Sequence, residues 1–176
     1  MSHPRLSLAL REGGLTLSEA LIGVFGPRGD TDLSDLPQEQ CQLITGFKPD
    51  HDRFSAQGYR CATSAEGQFG AAIVFLPRAK KLARALINEA VARTDGPILV
   101  DGQKTDGIDS LMKEIRKRTD LQGSVSKAHG KLFWFAADLD LSDWAAPDSQ
   151  QIEEGFVTAP GVFSADGIDP ASRLLL

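Results

Sequence analysis

Apolar residues come in two rhythms along this chain. Short unbroken runs sit between turn-forming residues, and longer stretches repeat every three to four positions. The runs 21–25, 41–47, 69–77 and 97–100 have the first form and predict buried strands; Gly26-Pro27 closes the first and Pro77 the third. Residues 79–93 have the second form. Leu82, Leu86, Ile87, Ala90 and Val91 share one face there, and no Gly or Pro interrupts, which predicts an amphipathic helix. Residues 107–119 predict another helix, with Leu111, Met112 and Ile115 inward and Asp109 or Ser110 as its cap. Beyond it the period shortens. Residues 125–128 and 131–137 flank His129-Gly130 as the arms of a β-hairpin, and the aromatic second arm predicts a central or well-covered strand.

Strands alternating with helices predict an α/β sheet, mostly parallel, with the hairpin adding a terminal antiparallel strand. The stretch 138–154 then holds Asp138, Asp140, Asp143, Asp148, Glu153 and Glu154 and no base, which predicts a linker. The tail 158–176 begins a helix at Ala171 and runs out at Leu174-Leu175-Leu176. Helices under about 12 residues are marginal in water, so the tail is expected to belong to something larger. The expected division is a domain at 1–138, an acidic linker at 139–157, and the start of a truncated further domain at 158–176.

The chain has 176 residues, enough for a full core. Nineteen basic residues against 24 acidic ones give a net charge of −5, which excludes an overall nucleic-acid polycation. The two cysteines, Cys41 and Cys61, lie far apart in no metal or redox motif and read as reduced, partly buried side chains. No run approaches the roughly 18–20 apolar residues of a membrane span, and no secretory signal opens the chain. The expected setting is the cytoplasm, away from any membrane.

Catalytic signatures are scarce. GxSxG, HExxH, Walker and GxGxxG motifs are absent, and His3, His51 and His129 are isolated. The loop Gly26-Pro27-Arg28-Gly29-Asp30 occupies the place where nucleotide-binding α/β folds put a glycine-rich turn and a helix N-terminus. Here Pro27 removes an amide, and Asp30, Asp32 and Asp35 repel anions, so the loop reads as degenerate and non-binding. The strand–helix connection 101–107 is compatible with a ligand crevice or with turns and caps made by Asp101 and Asp106. Two basic clusters stand out, at 78–93 and 113–131. Lys113, Arg116 and Lys117 share one helix face. With Arg84, Lys127 and Lys131 they are candidate phosphate contacts or, equally, a solvated surface.

The tail "APGVFSADGIDPASRLLL" resembles the segment that opens the catalytic domain in the small family of S-adenosylmethionine (SAM) dependent methyltransferases. Upstream, "LIGVFGPRGDTDLSDLP", "FGAAIVFLPRAKKLARALINEAV", "ILVDGQKTDGIDSL" and "VSKAHGKLFWF" are similar, in order, to the N-terminal half of small-subunit ribosomal RNA guanine-N2-methyltransferases. The resemblance implies a Rossmann-like, methyltransferase-type sheet with helices on both faces. It further implies a duplicated domain that has lost its cofactor site, next to a catalytic half that moves a methyl group from SAM to a guanine amine. Phe163, Ser164 and Asp169 match the segment at the edge of that pocket. The D-x-G-x-G loop and the N-P-P-[FY] motif of the family, which would follow Leu176, do not occur in these residues.

The implied role is a non-catalytic module with no cofactor of its own, whose partners are the catalytic domain and ribosomal RNA or the small ribosomal subunit. Two other readings stay open. One is a free-standing small SAM- or nucleotide-binding enzyme using the crevice near Gly26 and 101–107. The other is a folding partner that touches no RNA.

Overall fold

A computed structural model describes residues 4–175; the expectations for His3 and Leu176 lie outside the described residues. Seven strands form one sheet. In chain order they are β1 (Ile22–Phe25), β2 (Cys41–Ile44), β3 (Arg60–Ala62), β4 (Ala71–Phe75), β5 (Pro97–Gln103), β6 (Gly123–Lys127) and β7 (Gly130–Ala136). Across the sheet the order is β3-β2-β1-β4-β5-β7-β6. The first five are mutually parallel; β7 runs antiparallel to both β5 and β6. The mostly parallel sheet and the terminal hairpin are as the sequence predicts, and the aromatic arm β7 is internal.

Alternation of side chains across the sheet makes two cores. On one face Phe25, Val74, Ile98, Val100, Phe133 and Phe135 meet the helices α3 (Lys80–Ala92) and α4 (Ile108–Arg116). On the other, Val24, Ile73, Leu99, Leu132 and Trp134 meet Leu6 and Ala9 of α1 (Pro4–Arg11) and Phe54 of α2 (Lys48–Ala56). Helices therefore cover both faces. Strands covered on both faces read as continuous apolar runs, which is why they were legible.

Several local expectations are corrected. The run 41–47 stops pairing at Ile44, because Phe47 becomes the N-cap of α2. The strand expected over 69–77 is continuous only as Ala71–Phe75, with Phe69 in an isolated bridge to Thr94. In α3 the buried residues are Ala83, Ile87, Ala90 and Val91, so Leu82 lies at the rim of its apolar face. Gly107, left-handed at φ 84°, stands at the N-cap of α4 in place of Asp109 or Ser110. The hairpin turn is Ala128-His129, with φ 51° and 57°, and Gly130 is already strand. β5 runs on through Gln103, so Asp101 lies inside the strand, buried, and makes no turn there.

The expected acidic linker is anchored at its start. Leu141 and Trp144 are buried against the α3–α4 layer. Beyond them a two-residue ladder pairs β8 (Gln150–Gln151) with β9 (Val157–Thr158), and α5 (Pro170–Arg173) is one short turn. Leu82 of α3 lies beneath Gly161, where a Cβ would come within 2.5 Å of its methyl group. Lys81 reaches Asp166 at 2.8 Å, which ties the tail to α3.

Candidate functional site

The carboxyl ends of the parallel strands are where open α/β sheets receive ligands, so the connection after β1 decides what this sheet can hold. That connection, 26–40, contains no α-helix. Its chain descends over the second face, and Leu33 and Leu36 fill the core where a covering helix would lie. The amides are already used within the protein. Gly26 N–H donates to Ile44 O at 2.9 Å, Arg28 N–H to Thr31 Oγ1 at 3.0 Å, and Gly29 N–H to Asp50 Oδ1 at 2.9 Å. A Cβ on Gly29 would meet that same carboxylate at 2.9 Å. Ser34 holds Asp32 at a pKa of about 2, keeping this loop anionic. There is no free row of amides and no helix N-terminus here to receive a cofactor's anionic or polar groups. With those amides committed, this loop does not fit SAM in the way a glycine-rich turn does.

The second loop, expected at 101–107, begins on a buried ion pair. Arg5 Nε donates to Asp101 Oδ1 at 2.6 Å and Arg5 Nη2 to Oδ2 at 2.9 Å, both side chains buried. The same guanidinium gives Nη1 to the carbonyl of Lys127 at 3.0 Å. Asp106 accepts from the Gln103 amide at 3.1 Å and so caps the 3-10 turn before α4, as a turn-and-cap reading expects.

The candidate phosphate contacts divide into three places. Lys127 and Lys131 come together at the tip of the β6–β7 hairpin, where Lys104 and His129 join them around a recess of about 410 Å³. Lys131 pairs with Asp109 at 2.5 Å. Lys113 approaches the same carboxylate from α4, and the Lys131 hydrogen bond, then Lys104 and Lys113, hold Asp109 below the ordinary carboxylate range. Arg116 and Lys117 are exposed at the far end of α4. Arg84 stands apart and half-buried. It gives Nη2 to Glu114 at 2.7 Å, and its guanidinium carbon lies 5.5 Å from the Trp144 ring centre, with that of Arg118 at 5.1 Å. Lys104 and His129 join this site from loops, and their isolation in sequence hid them.

The tail residues do not meet the recess's lining. Phe163 is 85% exposed. Ser164 has a left-handed φ of 54°. Asp169 is the N-cap of α5, accepting from Ala171 N–H at 3.0 Å and Ser172 N–H at 3.4 Å. Val157, Val162, Leu174 and Leu175 are exposed too, so this end carries an apolar surface among the described residues. Those residues contain no cluster of metal-ligating side chains and no helix long and apolar enough to cross a membrane.

Residues 30–147 match the family model described as methyltransferase small domain N-terminal. Proteins called ribosomal RNA small subunit methyltransferase C are similar over 98% of this chain: one from Pseudomonas putida at 28% identity and one from Ectopseudomonas mendocina at 30%. The chain spans about half, 55%, of the length of each. Among solved structures, a T. thermophilus 16S rRNA N2 methyltransferase in complex with AdoMet and guanosine superimposes with a TM-score of 0.67 at 20% identity, over 92% of this chain and 48% of that one. The N-methyltransferase NodS from Bradyrhizobium japonicum gives 0.54 at 11% identity, over 66% of this chain and 77% of its own. The sheet is thus of the methyltransferase type.

Proposed function

The chain belongs to the methyltransferase small domain N-terminal family, and from that premise we propose that it is the non-catalytic N-terminal module of a SAM-dependent rRNA (guanine-N2-)methyltransferase. It supports the catalytic half and contacts rRNA of the small ribosomal subunit in the cytoplasm. SAM serves the parent enzyme and has no site in these residues.

The observation that carries this reading is the connection after β1. In a cofactor-binding sheet of this order, the turn after β1 presents open amides and a helix N-terminus. Here Arg28 and Gly29 have already given their amides to Thr31 and Asp50. The domain at 1–138, the connector 139–157 and the tail 158–176 are the parts of the proposed arrangement, with Leu141 and Trp144 seating the connector's first residues in the core. Phe163, Ser164 and Asp169 belong to the edge of the catalytic half's pocket, and the exposed apolar side chains around them are what that half covers.

Lys113, Arg116, Lys117, Lys127 and Lys131 are the phosphate contacts. Such contacts position RNA and do not specify its sequence. Arg84, already committed to Glu114 and Trp144, contributes to that face mainly by holding α3 on α4. Calorimetric titration of this chain with SAM tests the reading. No heat of binding up to millimolar SAM is expected. Micromolar binding would establish the competing reading, a small SAM-binding enzyme.

A further inference from the structure

A hairpin tip of small and polar residues is normally a passive turn. The tip Lys127-Ala128-His129-Gly130 is fastened from three directions. Arg5 Nη1 donates to Lys127 O at 3.0 Å from beneath. Lys104 N–H donates to His129 O at 3.1 Å. The Gln103 side-chain amide, oriented to satisfy its neighbours, donates to the carbonyls of Ala128 and His129 at 3.0 Å each. Gly130 permits this closeness: a Cβ there would lie 2.5 Å from Arg5 Nη1. Ala128 and His129 both hold left-handed φ without being glycine. A two-residue hairpin turn of the favoured type requires positive φ at both central positions, and the bonds to Lys104 and Arg5 hold it there.

The fastened tip forms one wall of the recess lined by Lys104, Asp109, Ser126, Lys127, His129 and Lys131. Lys131, Lys104 and Lys113 all act on the Asp109 carboxylate, and Lys127 lines the same recess, on a chain whose net charge is −5. The neighbouring acid Asp106 is turned away toward the Gln103 amide and Arg78. In a protein that repels anions as a whole, this is a local cation site with a rigid frame.

We propose that this recess is an anchoring site for the phosphodiester backbone of single-stranded RNA, with Lys104, Lys127 and Lys131 as its phosphate ligands and Asp109 as an internal counter-ion that RNA displaces from Lys131. The inference rests on the RNA-contacting reading above and gives it a place: the anchor is the hairpin-tip recess at the start of α4, and Arg116 and Lys117, at the other end of that helix, are not part of it. His129, at the tip, faces solvent where an adjoining base would pass. The recess stands at the carboxyl end of β5, so the sheet keeps its ligand edge while the anion site has moved from the β1 loop to the hairpin.

The test is fluorescence anisotropy with a 5′-labelled single-stranded RNA 12-mer on the 176-residue chain, across a salt series. The triple variant Lys104→Ala, Lys127→Ala, Lys131→Ala is expected to bind at least about tenfold more weakly at low salt. Its log–log salt slope should be shallower by about 2, since each single-strand phosphate contact contributes roughly 0.7. Asp109→Asn should bind several-fold more tightly, because Lys131 loses its competitor. The control Lys48→Ala, Arg60→Ala, near the opposite edge of the sheet and matched in charge to the double variant Lys104→Ala, Lys127→Ala, should bind as the parent does. A double variant that keeps Lys131, Lys104→Ala with Lys127→Ala, guards against loss of the Lys131–Asp109 pair as a folding effect. RNA binding unchanged in both the triple and the double variant overturns the recess and leaves the RNA-contacting reading standing. No RNA binding by the parent chain at low salt overturns both.

Discussion

Arg5 of α1 and Asp101 of β5 form a two-pronged ion pair, at 2.6 and 2.9 Å, across 96 positions of sequence and with both side chains about 4% exposed. It fixes the N-terminal helix to the middle of the sheet beside the hairpin tip. Removing one partner takes from a buried charge the opposite charge it pairs with, which typically costs about 3–5 kcal/mol, whereas replacing both with apolar residues is far milder. Arg5→Met alone and Asp101→Leu alone should each lower the urea midpoint strongly. The double variant should be more stable than either, a non-additivity read directly in a double-mutant cycle.

Trp144 predicts where the folded domain stops. It lies in the stretch that composition marks as linker, yet it is buried beside Arg84 and Arg118, and Asp143 holds Arg118 through two bonds at 2.6 Å. Trp144→Ala should destabilise by about 3–5 kcal/mol, the range for a buried large aromatic side chain. A chain ending at Asp138 should melt well below one ending at Asp148, by thermal denaturation followed by circular dichroism.

Glu114 predicts an acid-sensitive seam between α3 and α4. Partial burial raises its carboxyl, but the Lys80 and Arg84 hydrogen bonds outweigh this and hold it below its usual 4.5. A carboxyl depressed in the folded state leaves the unfolded chain holding more protons. Its stabilisation is therefore complete above 4.5 and is lost as pH falls through the depressed folded value. Glu114→Gln should lower stability at pH 7 and flatten its decline between pH 5 and 3. Urea midpoints of the two proteins that converge at low pH would bear this out; parallel curves would contradict it.

The Lys81–Asp166 pair makes a separable prediction, since both partners are 73% exposed. Exposed pairs add little to global stability because water screens them. Lys81→Ala should leave the thermal midpoint where it is. It should release the tail from α3, seen as faster limited proteolysis within 159–168. An unchanged cleavage rate would mean that the contact of Gly161 on Leu82 is sufficient by itself.

Much of the fold was legible because its strands are buried on both faces. Ile22 to Phe25, Ala71 to Phe75 and Pro97 to Val100 are apolar throughout, and only a covered sheet needs that. Elements held by one side chain or by a distant partner were not. α2 has the sequence KPDHDRFSA, and Phe54 is its single core residue, so no apolar stripe marks it. β3 is three residues on an edge. α1 had a readable signal, Pro4 in its first turn with Leu6 and Ala9 three apart, but its purpose lies in Arg5 and could not be seen without Asp101.

The candidate site divides in the same way. The sequence alone determined that the β1 loop is acidic and proline-interrupted, that the chain lacks catalytic motifs, and that its bases cluster at 78–93 and 113–131. Those are properties of composition and local order. Tertiary structure decided which bases act together. It took Arg84 into the Trp144 seam and brought Lys104 and His129 to Lys127 and Lys131. The reason is that the β5–β7 register places Gln103 opposite Gly130, so a strand end and a hairpin tip meet from positions that are remote in sequence. Periodicity tells which face a side chain takes; only the pairing of distant strands tells whose charges it will meet there.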